Sequence, residues 1–332
     1  MRMGQISGLT VRDDQISLSL GLTTHSAPLW RQTIDQLKEF LRTRFPAARE
    51  INVERSTFER PPEKLGEIGL TAKSVIAVGS GKGGVGKSTI AASLALGLHR
   101  AGCRVGLMDA DVYGPSIPHL LGVSQRPEIV EGRIQPIKAA GLNIMSMGLL
   151  VPPGEAVVWR GPMLHGAIQQ FLRDTEWGPL DYLIIDMPPG TGDIALTLSQ
   201  LLPLTGALVV CTPQDVALLD AIKAIAMFRK VNIPVLGLVE NMSYFVCSSC
   251  NERHEIFGHG GARQRAAELD VPFLGEVPIN VSIRQRGDAG EMDANFDDEV
   301  SASVLREISV RLAQQLADQN REQPPLPKLN VL

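Results

Sequence analysis

Residues 79–89 read Gly-Ser-Gly-Lys-Gly-Gly-Val-Gly-Lys-Ser-Thr, and this stretch decides the fold. An apolar run at 74–79 leads into it and a helical pattern at 87–101 follows it, which is the strand–loop–helix context of a phosphate-binding loop. Glycines let successive backbone N–H groups turn inwards, and the helix start adds positive potential for phosphate oxygens. The stretch therefore predicts an ATP site formed by Gly81, Lys82, Gly83, Gly84, Val85, Gly86, Lys87, Ser88 and Thr89.

Two side chains of this loop have predicted chemical roles. The spacing Gly81-x4-Gly86-Lys87-Ser88 matches the nucleotide-binding pattern, in which the lysine reaches the terminal phosphates and the hydroxyl binds Mg²⁺. We therefore expect Lys87 to act on the phosphates during hydrolysis and Ser88 to hold the metal ion.

The chain around the loop alternates short apolar runs with helical segments. This alternation is typical of a doubly wound α/β fold, a mostly parallel sheet with helices on both faces. Strands are predicted at 74–79, 104–109, 142–147, 181–186, 206–211, 233–240 and 272–277, and helices at 87–101, 162–173, 193–202, 215–230, 262–269 and about 298–318.

The first sixty residues have a different hydrophobic pattern. Apolar and polar residues alternate at 16–20, a helical pattern covers 30–45, and a short strand is predicted at 51–53. This order predicts a small α+β module, and prolines 61 and 62 begin a linker. A proline-rich end cannot continue the last helix. We therefore divide the chain into an accessory module (1–60), a linker (61–72), an ATPase domain (73–318, with a metal-binding insert at 244–257) and a flexible tail (319–332).

Composition narrows the classes of function. The 332 residues are 44% hydrophobic and 20% charged, as in ordinary globular proteins, and a net charge of −4 does not favour nucleic-acid binding. Neither a secretory signal nor an apolar run of the ~18–20 residues that a membrane span needs is found. We expect a cytoplasmic protein with no membrane partner, and we expect Cys103 and Cys211, in apolar contexts, to be core residues.

Acidic residues follow two of the predicted strands. Asp109 and Asp111 end one run, and Asp186 ends another. The carboxyl ends of parallel strands form the rim where open α/β sheets bind ligands, so these carboxylates can meet Mg²⁺ and the attacking water. Asp193 is predicted either to cap the helix that starts there or to act in a switch.

The second lysine of the loop, Lys82, marks a subgroup. Lys-Gly-Gly-Val-Gly-Lys-Ser resembles the deviant loop of the ParA/MinD/nitrogenase-iron-protein class, and the resemblance implies that Lys82 reaches the nucleotide of a partner subunit. A solvated surface lysine is the alternative. In this class Asp111 would orient or deprotonate the water, Asp109 would support the metal region and Asp186 would hold Mg²⁺ through water. Asn241 would contact the adenine edge, or else cap a turn.

A cysteine pair, Cys247-Ser-Ser-Cys250, follows soon after Asn241. Two thiolates from one knuckle fall short of the roughly four ligands that a tetrahedral or cluster site needs. A two-fold dimer would supply four cysteines. Alternatives are an intrachain zinc site completed by His254 and His259, a redox pair, or structural cysteines.

Together with Asp-Ala-Asp-Val-Tyr-Gly-Pro-Ser-Ile-Pro (109–118) and Asp-Met-Pro-Pro-Gly-Thr-Gly-Asp (186–193), these motifs resemble the Mrp/ApbC iron–sulfur cluster carriers over about 73–290. The resemblance implies a homodimer with slow ATP hydrolysis that holds a bridging 4Fe–4S cluster at Cys247 and Cys250 and exchanges it with cluster donors and apo-proteins. The first module resembles the family's accessory domain without its first strand or helix and its acidic turn. Ser248 and Asn251 replace common proline and glycine. A positioning or partition ATPase with a structural zinc site is the alternative function.

Overall fold

The computed structural model describes residues 4–66, 68–112, 114–149, 161–190, 192–247 and 249–322. In chain order the strands are β1 Ile6–Arg12, β2 Gln15–Leu22, β3 Glu50–Thr57, β4 Lys64–Leu65, β5 Leu70–Gly79, β6 Val105–Asp109, β7 Ile129–Val130, β8 Arg133–Ile134, β9 Ile137–Ala139, β10 Leu142–Ser146, β11 Leu180–Asp186, β12 Gly206–Cys211, β13 Val235–Val246, β14 Arg253–His254 and β15 Phe273–Ile279. The helices are α1 Trp30–Arg44, α2 Lys87–Arg100, α3 Ile117–Leu120, α4 Gly161–Asp174, α5 Asp193–Leu201, α6 Asp215–Lys230, α7 Gly261–Glu268, α8 Val281–Asp288 and α9 Glu299–Glu322, with 3-10 turns at Thr24–Leu29, Met147–Leu149 and Met292–Phe296.

Parallel strands form the centre of the main domain. They lie in the order β15-β13-β12-β5-β11-β6-β10, and the short strands β14, β9 and β4 add to the sheet in antiparallel pairings. The predicted doubly wound, mostly parallel α/β sheet is confirmed, and every one of the predicted strands is present. β13 continues past its predicted end at 240 as far as Val246. Helices α3 and α8 and the β7–β8 hairpin were not predicted from the sequence.

Apolar layers cover both faces of the sheet. Helices α2 and α9 pack on one face and α4, α5, α6 and α7 on the other. Both faces are buried, so the central strands are apolar at successive positions instead of alternating. Gly97 lets α2 approach α9 closely, because a Cβ there would lie 2.4 Å from the Ser309 hydroxyl.

The N-terminal module is a three-stranded sheet, ordered β1-β2-β3, covered by α1. Strand β1 was not predicted, because its side chains are mostly exposed and lack the apolar alternation that marked β2. The module docks through its 3-10 turn. There the Thr24 hydroxyl donates to Asp181 at 2.8 Å, and the Tyr182 hydroxyl donates to the His25 carbonyl at 2.7 Å.

Two predicted boundaries differ from the structure. The predicted linker 61–72 contains β4 and the first residues of β5, and Leu70 and Ala72 are buried in the main core. Helix α9 continues to Glu322, so the tail predicted from 319 begins as helix, and residues 323–332 lie outside the described part of the chain. Among the described residues, no helix has the length and apolar character to cross a membrane.

Candidate nucleotide and metal sites

The phosphate-binding loop joins β5 to α2, and two of its glycines, Gly81 and Gly86, pack closely against neighbouring residues. Gly84 and Gly86 have φ values of +80° and +81°, a region that side chains rarely adopt. A Cβ at Gly81 would lie 2.1 Å from the Asp220 carbonyl oxygen of α6, and one at Gly86 would lie 2.1 Å from Nδ2 of Asn241. The glycines are therefore required both for the backbone torsions and for close packing.

Lys87 and Asp186 form a buried ion pair at the end of the loop. The lysine Nζ lies 2.7 Å from Oδ1 of Asp186 and donates to the Ser88 hydroxyl at 3.1 Å. Burial raises the pKa of Asp186, and the Lys87 charge opposes that rise. The other carboxylate oxygen, Oδ2, is buried and has no hydrogen-bond partner among the described residues. A carboxylate oxygen free to accept, beside a serine hydroxyl, is a donor set that suits Mg²⁺.

Four hydrogen-bond donors surround the carboxylate of Asp109. Its oxygens accept from the backbone N–H groups of Asp111, Ser116 and Ile117 at 3.1–3.2 Å and from the Ser146 hydroxyl at 3.1 Å. Burial, together with the charge of Asp186, raises the pKa of Asp109 to about 7. These four donors use the roughly four lone pairs of a carboxylate. Asp109 therefore fixes the backbone at Asp111, Ser116 and Ile117, and its support of the metal region stays a prediction.

A cavity of about 500 Å³ opens over the phosphate-binding loop. Asp111 lies in its wall, where its Oδ1 accepts from the Gly114 N–H at 3.2 Å. Lys82 is half-buried in the same wall, with its carbonyl held by the Ser80 hydroxyl. The described lining also includes Gly83, Gly84, Gly86, Lys87, Ser88, Thr89, Pro115, Ser116, His119 and Pro189. The structure thus brings the predicted lysines, Ser88 and Asp111 together; the side chain of Asp193 lies outside the described residues.

A second, apolar cavity of about 270 Å³ adjoins the first, and Gly86 and Thr89 line both. Asn241 lies in its wall and donates its amide N–H to the Val85 carbonyl at 2.9 Å. Because Asn241 is within β13, it does not cap a turn. Other residues of the cavity wall belong to no sequence motif and were not predicted as site residues. They are Val277, Pro278, Ile279, Asn280, Ile283, Arg284 and Leu305.

The cysteine pair lies in a tight turn between β13 and β14. The Cys247 N–H donates to the Glu252 carbonyl at 3.0 Å, and the Asn251 N–H donates to the Cys247 carbonyl at 2.9 Å. Asn251 has a φ of +57°, a left-handed conformation that asparagine tolerates better than most residues. Hydrogen bonds from the backbone N–H groups of Ser249 and Cys250 lower the pKa of Cys247. The turn therefore presents two accessible sulfurs and favours a thiolate.

The histidines near the pair do not complete a metal site. Among the described residues, no group of three or more His, Cys, Asp or Glu side chains is placed to hold a metal ion. His259 Nδ1 lies 3.0 Å from the Arg253 guanidinium, and the His254 ring faces Phe245. The described arrangement therefore does not favour the intrachain zinc alternative with Cys247 and Cys250. Cys103 and Cys211 are buried as predicted, and burial raises the pKa of both.

Comparisons with known proteins agree on one family. The family model described as "ParA: NUBPL iron-transfer P-loop NTPase" matches residues 71–315. The chain is 47% identical to the iron-sulfur cluster carrier protein of Deinococcus radiodurans over 318 residues, which cover 95% of this chain and 89% of that protein. It is 46% identical to the iron-sulfur cluster carrier protein of Escherichia coli over 299 residues, with coverage of 87% and 80%.

Solved structures give the same result for the fold. A nucleotide-binding protein of Archaeoglobus fulgidus in complex with ADP is 40% identical, with a TM-score of 0.60, and the match covers 67% of this chain and 88% of that one. The cell-division ATPase MinD of Pyrococcus furiosus is 21% identical, with a TM-score of 0.53 and coverage of 74% and 99%. The second likeness shows a shared fold only.

Proposed function

Because this chain belongs to the family of NUBPL-type iron-transfer P-loop NTPases, we propose that it is an ATP-hydrolysing carrier that binds a 4Fe–4S cluster between two copies of itself and delivers the cluster to apo-proteins. The observation that carries this proposal is the turn at Cys247 and Cys250. It offers two accessible sulfurs, and no third ligand lies with them among the described residues.

ATP binds with its phosphates in the larger cavity and its base in the apolar one. Gly86 and Thr89 line both cavities, so one nucleotide can bridge them. Backbone N–H groups of the loop and the helix start of α2 attract the phosphates. Asn241 keeps its side-chain oxygen for the adenine amino group, since its amide nitrogen is used by Val85.

The residues at the phosphate end also fit a magnesium ion. Ser88 and the unpartnered Oδ2 of Asp186 would hold it, Asp186 through a water molecule. Bound there, Mg²⁺ would neutralise charge on the phosphates. Lys87 binds the terminal phosphate oxygens, which share the lysine with Asp186. Asp111, which lines the same cavity, orients or deprotonates the attacking water. Positioning and charge neutralisation of this kind account for most of phosphoryl transfer.

Lys82 supports a dimeric form of this mechanism. It lies on the cavity wall between Gly81 and Gly83 and is half-buried within one chain. We assign it to the nucleotide of a partner subunit, where its charge would complete the site. Hydrolysis would then depend on two copies facing each other, and the same symmetry would bring two cysteine pairs together.

The cluster is cargo in this scheme. Two copies of Cys247 and Cys250 provide the four thiolates that a cluster needs, and the lowered pKa of Cys247 favours the ligating form. Cys250 is exposed, as a site must be that accepts a cluster from a donor and passes it to an apo-protein. A cluster at an exposed seam is labile, which suits transfer rather than storage.

Anaerobic reconstitution with iron and sulfide tests the proposal. We expect thiolate-to-iron charge-transfer absorbance, about two iron atoms per chain and a dimeric molar mass by light scattering. Zinc at one equivalent per chain without such absorbance would refute the carrier function and leave the nucleotide site standing. Transfer is then measured by activation of an apo-protein with and without Mg-ATP.

A further inference from the structure

One strand serves both sites. Within β13, Asn241 holds the phosphate-binding loop through the Val85 carbonyl, and the strand ends at Val246, directly before Cys247. Only residues 242–246 separate the nucleotide contact from the first sulfur. This is the shortest covalent connection between the two sites.

That connection begins with an irregular residue. Met242 has a φ of +54°, and the pairing of β13 with β15 shifts register between Asn241 and Phe245. A methionine in the left-handed region is uncommon and persists where its surroundings enforce it. A change of backbone torsion at Met242 would therefore relieve strain and redirect the strand that leads to Cys247.

A buried carboxylate, Glu240, forms hydrogen bonds that span the irregular residue Met242. Glu240 is fully buried, and it accepts from the Ser243 hydroxyl at 2.6 Å and from the Ala262 N–H at 2.9 Å. We call the segment from the end of β13 through Cys247 and Cys250 to β14 the cysteine hairpin. Ser243 lies in β13 before the cysteines, and Ala262 lies in the first turn of α7, which follows β14 along the chain. Because a buried carboxylate is costly without its hydrogen bonds, Glu240 ties both ends of the hairpin to the strand beside Asn241.

The phosphate-binding loop lies close to this part of β13 and contacts it through the hydrogen bond from Asn241 to the Val85 carbonyl. A Cβ on Gly86 would lie 2.1 Å from Nδ2 of Asn241 and 3.8 Å from Cε of Met242. Phosphates that bind at the loop would therefore act close to both residues. We infer that Met242, clamped by Glu240 and Ser243, is a positioning element that moves the cysteine hairpin when nucleotide fills the loop. This inference rests on the proposed nucleotide site and adds the route by which that site controls the cysteines.

Thiol alkylation of the metal-free, full-length chain tests the route without any cluster. Cys103 and Cys211 are buried, so labelling under native conditions reports on Cys247 and Cys250, and mass spectrometry assigns each site. Saturating Mg-ATPγS should change the labelling rate of the native chain by about fivefold or more, as coupled sites usually show. In Met242→Gly the ratio of the labelling rates with and without Mg-ATPγS should fall to about one. Glycine adopts positive and negative φ values with similar ease and therefore cannot transmit the displacement.

Ala140→Gly is the matched control. Ala140 also has a left-handed φ, +48°, in an exposed turn between β9 and β10, and its replacement should keep the native ratio. Ser243→Ala removes one bond of the clamp and should lower the ratio part of the way. Each variant is measured at a nucleotide concentration shown to saturate it, with its molar mass recorded to separate coupling from shielding by dimerisation.

A native ratio in Met242→Gly, or a ratio of one in the native chain, would overturn the inference. The two failures are separable from failure of the carrier function. Absence of a cluster after reconstitution refutes the carrier function and leaves the labelling ratio measurable, whereas a cluster with no nucleotide-dependent labelling refutes only the coupling route.

Discussion

The ammonium of Lys87 lies 2.7 Å from Oδ1 of Asp186, and 6% and 0% of these side chains are exposed. The phosphate-binding lysine is therefore held in place by a carboxylate from the neighbouring strand β11 before any phosphate engages it. The ion pair offsets part of the desolvation free energy of the two buried charges, which would be large for either charge alone.

Lys87→Ala should abolish ATP hydrolysis and also destabilise the fold. Without the lysine, the Asp186 carboxylate is left buried and unpaired, a loss that typically costs about 3 kcal/mol or more. Hydrolysis rate and urea denaturation of the purified chain measure the two effects. The double variant Lys87→Ala/Asp186→Asn should recover most of the stability and none of the hydrolysis. Native hydrolysis in Lys87→Ala would refute the site assignment.

Lys82→Ala should bind ATP and hydrolyse it poorly, because its proposed target lies in the partner subunit. Asp111→Ala should also be inactive in hydrolysis, because it removes the residue that acts on the attacking water in its own subunit. An equimolar mixture should regain about a quarter of native hydrolysis, since half of random dimers are mixed and each holds one complete site. Hydrolysis by each variant alone is the control. A mixture as inactive as its components would place Lys82 in its own subunit's site.

Cys247→Ser or Cys250→Ser should sharply lower iron content and cluster-dependent dimerisation, while ATP affinity stays close to native. Each substitution removes two of four ligands from a bridging site, and metal–thiolate sites assemble cooperatively. His254→Ala and His259→Ala are the matched controls in the same hairpin and should keep iron binding. Iron and zinc analysis of the four variants after anaerobic reconstitution decides between the models. Histidine-dependent zinc at one per chain would contradict the bridging cluster.

Docking of the N-terminal module should weaken as the pH falls. Burial lowers the pKa of His25 to about 4, from an ordinary value near ~6.5. Unfolded chains bind this proton below pH ~6.5 and the folded chain does not, so the stabilisation is present above ~6.5 and is lost as the pH falls towards 4. The slope is at most about 1.4 kcal/mol per pH unit.

His25→Phe provides the comparison, because it keeps an aromatic ring against Tyr182, 4.4 Å from it in the native stack, and cannot take up a proton. The difference in free energy of unfolding between the native chain and His25→Phe should stay constant above pH ~6.5 and change in favour of the variant below it. Urea denaturation at a series of pH values measures this difference. A difference in free energy of unfolding that stays constant from pH 7 to pH 4 would contradict a lowered pKa of His25.

Much of the fold was accessible from local sequence patterns. The apolar runs of the parallel strands are long and bounded by turns, so they could be found without knowledge of their neighbours. Strand β1 was missed because its side chains are mostly exposed, and α3 because four residues carry too little periodicity. Glu240 left only a weak signal, a single carboxylate at the predicted end of an apolar strand.

The sequence by itself determined the phosphate-binding loop, the layered sheet and the presence of a paired-cysteine turn, because glycine torsions, apolar runs and close spacing are local properties of the chain. Only the tertiary structure decided what the acidic and amide side chains do. Asp109 accepts from the backbone that follows it, Asn241 fixes the Val85 carbonyl, and among the described residues the two histidines are not grouped with the cysteines as metal ligands. These outcomes depend on which hydrogen-bond partners the packed strands bring together from distant parts of the chain, and residue spacing carries no information about that.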